Sequence, residues 1–331
     1  MRCLVTGATG FVGSNLVRTL IDAGHEVVAS GAPGSTTAYL DDLDIEVRLA
    51  DLLDPDAVND LVTGCDWVFH VAGDTSTWSG LTARRHAVNL VAADRLAAAS
   101  LNAGVRRFIH TSTVDVHGYN ADGSPLAETY GDKSFCNIGY DYADTKAAGE
   151  MAVLRYIARG LDVVIVYPGF MIGPFDHTLQ LGRVIRDLQA GKPTFAPPGT
   201  GSFCDVRAVA AGMLAAAEKG RTGEGYNLTG FNRTYYDVFT RIGEIVGAKH
   251  RPVRLPAPAL RAVGLLDEAV SRVTGRVPDM DTGMAKYLSS PQASDWSKAH
   301  DELDYDPGDV DTAIRDAAGW YDQFMPVESV S

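Results

Sequence analysis

The sequence predicts an α/β fold: a doubly wound parallel sheet with helices on both faces, followed by a smaller, mainly helical C-terminal region. Three observations carry that expectation. Short apolar runs alternate with amphipathic helical stretches through the first half of the 331-residue chain, which is the order that builds a parallel sheet. Glycines stand at positions 7, 10 and 13, directly after the first apolar run. Beyond residue 170 the alternation gives way to helical segments separated by Gly- and Pro-bearing loops.

Cys3, Leu4 and Val5 read as a strand buried on both faces. The turn Gly7-Ala8-Thr9-Gly10-Phe11-Val12-Gly13 follows, one residue longer than the usual dinucleotide fingerprint. Leu16, Val17, Leu20 and Ile21 then recur at helical spacing, with Gly24 at the expected C-terminal cap. Residues 25–29 and 45–49 are expected as the second and third strands, with Asp51 at the carboxyl end of the third. A helix is expected over 55–62, a strand over 67–71, a long alanine-rich helix over 83–103 and a strand over 105–111. A helix over 142–159 and a sixth strand over 163–167 complete the series. Later helices are expected at 179–190, 206–219, 236–246 and 258–274, with short strands around Thr194 and Tyr226. Residues 1–170 form the expected dinucleotide-binding, Rossmann-like domain and 171–326 a substrate-binding cap, some of whose segments can return to the sheet. The tail 327–331 is expected to fray.

Composition narrows the partners. The chain is 46% hydrophobic with a formal charge of −13, a field that repels nucleic acid and anionic membrane. Cys3, Cys65, Cys136 and Cys204 form no Cys-x-x-Cys pair, so neither a metal site nor a disulfide framework is expected and a reduced, cytoplasmic setting is. No apolar run is long enough to span a bilayer.

Ligands of a doubly wound sheet sit beyond the carboxyl ends of its strands. There the glycine turn opens a helix whose free N–H groups suit a pyrophosphate. Tyr142 and Lys146, at i and i+4, share one helix face, so phenol and ammonium can enter one cleft. A free phenol ionises near pH 10, so acid–base work near pH 7 asks for about 4 kcal/mol of differential stabilisation. A neighbouring ammonium and an oxidised nicotinamide push that way. Thr111, Ser112 and Thr113 end the fifth strand with hydroxyls that can hold a substrate oxygen or turn the chain.

Together these residues resemble the extended short-chain dehydrogenases/reductases, the NAD-dependent epimerase/dehydratase family, in the branch of dihydroflavonol reductases and hydroxysteroid dehydrogenases. The likeness spans nearly the whole chain: residues 6–13, Asp51-Leu52, residues 68–73, Val88-Asn89, residues 111–113, Tyr142 with Lys146, residues 167–169 with Gly173-Pro174, and residues 205–207. It implies that Tyr142 exchanges a proton with the substrate oxygen, that Lys146 biases the phenol and bonds the nicotinamide ribose, and that Thr113 holds the carbonyl or hydroxyl. It also places Gly7, Thr9, Gly10, Phe11, Val12 and Gly13 on the cofactor, with Val71, Ala72 and Gly73 along it, Asp51 and Leu52 near adenine, and Pro168 near the carboxamide. The long helix and the Tyr142 helix resemble those that pair subunits in family members, which implies a homodimer.

The chain departs from the pattern after its second strand, where relatives carry an acidic residue or an arginine. Here the segment is Ser30-Gly31-Ala32-Pro33-Gly34-Ser35, and no lysine or arginine lies between Arg18 and Arg48. A 2′-phosphate would have to rely on hydroxyls such as that of Ser30, so NAD(P) is expected with a slight lean to NAD. Thr75, Trp78, His117, Tyr140, Phe170, Met171 and Phe203, together with Asp74, Cys136 and Phe175, are the candidate pocket residues. They are rich in aromatic and apolar groups, and only Arg183, Arg186 and Arg207 offer themselves to a diphosphate. The expected activity is NAD(P)-dependent interconversion of an alcohol and a ketone or aldehyde on an apolar or aromatic small molecule. The alternative is a sugar or nucleotide-sugar epimerase/dehydratase with transient hydride transfer.

Overall fold

The structure, a computed structural model, describes residues 1–135, 138 and 140–325. Strands β1 (Arg2–Thr6), β2 (Glu26–Gly31), β3 (Glu46–Leu49), β4 (Trp67–His70), β5 (Arg107–Thr111) and β6 (Val163–Pro168) lie in one sheet with a later strand, here β7 (Gly225–Leu228). Their order is β7-β6-β5-β4-β1-β2-β3, and every pairing is parallel. The order reverses between β1 and β4, which leaves a crevice at their carboxyl ends.

Side-chain alternation along the central strands builds a core on each face. Cys3 and Val5 of β1 meet Leu16, Val17 and Leu20 of α1 (Phe11–Asp22) and Val209 and Met213 of α2 (Val206–Lys219). Leu4 points the other way, to Val58 and Leu61 of α3 (Pro55–Val62), Leu96 of α4 (Ala92–Asn102) and Val153 of α5 (Asp141–Leu154). Leu16 and Leu20 are fully buried, so truncating either to Ala would cost about 2–5 kcal/mol. Helix starts are fixed locally: Asp54 caps α3 by accepting from Asp56 N–H at 3.0 Å, with Pro55 at the first helical position.

The expected continuous helix over 83–103 is interrupted. A short α-helical turn at Thr82–His86 leads into a π-helical turn at Ala87–Val91 before α4 begins. Asn89 sits in that turn, the kind of local irregularity that collects at functional sites.

After β6 the chain forms a second layer. Phe170–Ile172, Thr200–Asp205 and Phe231–Thr234 make a three-stranded sheet that hydropathy left unassigned, and Phe195–Ala196 pairs with Val253–Arg254. Four further helices belong to this region: α6 (Gly182–Gln189), α7 (Tyr235–Val246), α8 (Ala257–Thr274) and α9 (Thr282–Tyr287). The last two are α10 (Ser297–Leu303), packed on α2, and α11 (Val310–Phe324), packed on α6 and α7. β7 and α2 thus come from the second half of the chain and complete the central sheet and one of its helical layers. Among the described residues no helix is long and apolar enough to cross a membrane, and no group of three or more His, Cys, Asp or Glu is placed to hold a metal ion. Cys136 and residues 327–331 lie outside the described residues.

Candidate active site

The carboxyl ends of β1, β4, β5 and β6 carry the site. The turn after β1 is held by Gly10 N–H donating to Gly7 C=O at 3.0 Å and Ala8 N–H donating to the buried Ser30 at its C=O, 2.9 Å. Gly7 has φ +67°, and a Cβ there would stand 2.7 Å from Ala72 N. A Cβ on Gly13 would lie 2.1 Å from Gly7 O, so α1 reaches this turn only with glycine present. Gly10 caps α1 without a side-chain hydrogen bond, which leaves backbone donors of the first turn for an anion. Thr9 lies against Gly31 of β2, and Phe11 and Val12 turn into the core side of α1.

Val71, Ala72 and Gly73 follow β4. Ala72 N–H donates to Thr6 Oγ1 at 3.3 Å, and the same hydroxyl meets His70 Nδ1 at 2.9 Å. Asn89 reaches back from the π turn: its Oδ1 accepts from Asp74 N–H at 2.8 Å, and its Nδ2 donates to Asp74 O and Thr145 Oγ1, each at 3.0 Å. It therefore ties the loop after β4 to α5. A Cβ on Gly73 would lie 3.9 Å from Lys146 Nζ, so the two ends of the candidate site adjoin.

Lys146 is 4% exposed and donates from Nζ to Thr111 O at 2.5 Å. Burial pulls its pKa down to about 8, against a smaller upward pull from Glu150 one turn further on. Glu150 accepts from Ser112 Oγ and Tyr167 OH, each at 2.8 Å. The phenol of Tyr142 is pushed above its ordinary value by burial, then by the charge of Asp115, while a hydrogen bond with Thr113 acts downward and Asp74 adds a lesser upward push. The sequence leads to the expectation that an ammonium and an oxidised nicotinamide together press this pKa down; in the protein alone desolvation of the phenolate outweighs the other influences.

Thr113 stands at the start of the turn Val114–His117 and accepts from Asp115 N–H at 3.3 Å. Asp115, which sequence reasoning missed, is buried and takes hydrogen bonds from Tyr140 OH at 3.1 Å and Tyr287 OH at 2.9 Å. Burial raises its pKa to about 6, with those bonds opposing. Tyr140 and Tyr287 stack at 4.3 Å, and Phe135 tilts against Tyr287 at 4.9 Å. Phe170 stacks on Phe203 at 5.4 Å and meets Tyr235 edge-on at 5.5 Å. Tyr142 packs against the Phe135–Tyr140–Tyr287 cluster.

The remaining candidates divide. His117 is buried against Tyr167 at 4.4 Å, and burial lowers its pKa to about 4. It lines a cavity of about 10 Å³ with Asp115, Phe135, Phe170 and Gln292, the space of a single water. Met171 does not reach the aromatic wall: strand alternation turns Phe170 towards it and Met171 into the central core. Phe175, at φ +72°, lies under the Arg18 guanidinium 4.0 Å away. Thr75 is exposed, and Trp78 is half-buried with its ring over Gly80. Asp51 accepts from Leu53 N–H at 2.8 Å in an exposed turn, Leu52 packs on the core beside α3, and Pro168 pairs with Leu228 at the end of β6.

A sequence model of the NAD dependent epimerase/dehydratase family matches residues 3–229. This chain belongs to that family. It is 33% identical over 324 residues to sterol demethylase protein B of Methylococcus capsulatus, covering 97% of this chain and 98% of the relative. It is 31% identical over 323 residues to a putative dihydroflavonol 4-reductase of Synechocystis sp., covering 96% and 93%. The solved structure of gox2253 matches with a TM-score of 0.85 and 32% identity, over 98% of this chain and 99% of that one. The chain is thus an NAD(P)-dependent enzyme of the short-chain dehydrogenase/reductase type, in a family that includes reductases, epimerases and dehydratases.

Proposed function

We propose that this enzyme interconverts an alcohol and a ketone or aldehyde on an apolar, ring-bearing small molecule, with a net change in the nicotinamide. The observation that carries this reading is the placement of Tyr142 between Thr113 and an aromatic wall, one helical turn before the buried Lys146. A nicotinamide dinucleotide fits the uncapped start of α1, the close-packed Gly7 and Gly13, and the strip from Val71 to Gly73 that leads to Lys146. Bound there, it supplies hydride exchange at carbon. In this reading the Thr113 hydroxyl orients the substrate oxygen, Tyr142 exchanges a proton with that oxygen, and Lys146 presents a positive charge beside both.

The substrate class follows from the wall. Phe135, Tyr140, Phe203, Tyr235 and Tyr287 are themselves buried and back the half-buried Phe170 and Tyr142, so the surface beside the phenol is aromatic and suited to fused or aromatic rings. Arg207 is engaged by Asp205 and Asp316 at 2.6 and 2.7 Å, and Arg183 by Asp279 at 3.4 Å, so a diphosphate would have to displace carboxylates. The sterol and dihydroflavonol named for the relatives are in keeping with this class.

NAD is the favoured cofactor. Arg18 donates to Asp42 at 2.6 Å and to Tyr39 O at 2.9 Å, while Arg48 donates to Glu46 and to Asp60 O. The cations nearest the end of β2 are therefore already occupied. The reading includes a homodimer through α4 and α5, where Met151 is 69% exposed. The test is a panel of cyclic alcohols and ketones beside nucleotide sugars, followed by nicotinamide absorbance with NAD and with NADP. Net absorbance change on the cyclic substrates, with tighter binding of NAD, is expected. Turnover of a nucleotide sugar without net absorbance change would establish the epimerase alternative instead.

A further inference from the structure

A carboxylate buried beside a candidate acid–base phenol calls for an account, because its charge opposes ionisation of that phenol. Asp115 is 5% exposed, and its side-chain partners are phenols rather than a cation: Tyr287 OH on Oδ1 and Tyr140 OH on Oδ2. Its own N–H donates to Thr113 Oγ1. Tyr140 in turn meets the Tyr142 ring edge-on at 5.9 Å. The two groups that bracket the Tyr142 phenol, Thr113 and Tyr140, are thus both held by one residue.

We propose that Asp115 is a positioning residue of this acid–base site: its N–H holds Thr113 and its buried carboxylate holds Tyr140 around the Tyr142 phenol, and that carboxylate sets the negative charge the phenol faces. The proposal rests on the reading of Tyr142 as the proton carrier. Its geometry joins three parts of the chain, the end of β5, the approach to α5, and α9. Tyr287 lies 172 residues from Asp115, and Asp281, at the start of α9, accepts from Thr77 Oγ1 at 2.9 Å. These are two of the bonds that fasten the second layer to the strand ends, one of them made to the carboxylate itself.

The charges around the pair are few. Tyr142 is faced by Asp115 from the segment after β5, by Asp74 from the loop after β4, and by the hydroxyls of Thr113 and Tyr140. Asp74 is neutralised in part by Arg84 at 2.6 Å. Asp115 is faced by Tyr140, by Tyr287 from α9, by Tyr235 from α7 and by Tyr142 itself, with His117 two residues along its own turn. Lys146 lies one helical turn beyond, bonded to Thr111 O. Asp115 is thus the strongest charge influence on the phenol in the protein alone, with Asp74 acting more weakly in the same direction.

Asp115→Asn removes the charge and keeps the volume and an oxygen able to accept from a phenol. In the alcohol-oxidising direction the pH limb of kcat/KM should move about one pH unit lower. The Tyr142 resonance in protein labelled with carbon-13 at tyrosine Cζ, assigned by Tyr142→Phe, should move with it. Tyr287→Phe removes one hydrogen bond but leaves the charge at alkaline pH, so it should leave that limb in place. An Asp115→Asn enzyme that is slower with limb and resonance unmoved, or a Tyr287→Phe enzyme whose limb moves equally, would overturn the proposal in favour of a purely structural clamp. Should Asp115→Asn fail to fold, the wild type still decides. Its Tyr142 resonance should respond near pH 6 as Asp115 titrates, and that response should move upward in Tyr287→Phe; a flat signal in both overturns the proposal. The resonance needs no substrate, so it separates failure of this inference from failure of the proposed activity.

Discussion

Lys146 is held in the fold against its own solvation, and replacing it should separate stability from activity. Burial takes its pKa from the ordinary 10.5 down to about 8, so the folded state disfavours the ammonium by about 3 kcal/mol at pH 7. The sign follows from proton binding. Between pH 8 and 10.5 the unfolded chain holds the Lys146 proton more tightly than the folded one, so this group's contribution is fully present above pH 10.5 and lost as pH falls through 8. Lys146→Met removes that penalty but orphans Thr111 O, which accepted from Nζ at 2.5 Å, at a cost of about 1 kcal/mol. The variant should therefore be about 2 kcal/mol more stable than wild type at pH 7, with the advantage gone near pH 10. The tyrosines whose burial raises their pKa lose stability above pH 10 in both proteins and cancel in the difference. Urea unfolding of the two proteins without cofactor, at several values between pH 7 and 10, reads it directly. A variant less stable at pH 7, or a difference independent of pH, would refute the desolvation argument.

Two further substitutions test other parts of the site. Gly13→Ala would place a Cβ 2.1 Å from Gly7 O, a backbone atom that cannot swing away; stability should fall by roughly 1–3 kcal/mol and dinucleotide binding should be lost, as calorimetry would show. Tyr142→Phe should lower turnover by about 10²–10⁴-fold while the cofactor dissociation constant stays within about threefold, and a fully active variant would remove Tyr142 from the mechanism.

Local patterns made much of this protein legible. The glycine turn, the βα alternation and the Tyr142/Lys146 pair each depend on residues within a few positions of one another, where period and sterics act directly. What stayed hidden was set by long-range packing. Asp115 looks like a polar break between Val114 and Val116 until Tyr140 and Tyr287 are brought to its two oxygens. The π turn at 87–91 keeps the same apolar pattern as an ordinary helix, and only the bonds from Asn89 to Asp74 and Thr145 show its use. The strand Thr200–Asp205 escaped notice because Gly201 interrupts it, and its partners lie on either side in sequence, one antiparallel and one parallel. Met171 faces the central core rather than the aromatic cluster for a simpler reason: adjacent strand residues face opposite ways.

Most ionisable groups at the strand ends shift towards their uncharged form; Asp74 is the exception, since burial pushes its carboxyl up but Arg84 and Ser76 hold it below the usual range. Burial lowers His70 to about 3 and His110 well below its ordinary value, lowers Lys146 to about 8, and raises Asp115 to about 6. Glu150 and Tyr142 also rise. Each of these burial shifts favours the uncharged form, as expected where side chains rather than water surround the groups. A site of this kind is poor in mobile charge and responds strongly to any charge brought into it. In the protein alone burial moves Lys146 down and the Tyr142 phenol up, so the fold does not favour a charged Lys146 and an ionised Tyr142 together. The pair named by its spacing is therefore not a finished acid–base device. In the proposed reading, a bound ligand alters the charge that Tyr142, Lys146 and Asp115 feel together, and the carboxylate two residues after Thr113 is part of that balance.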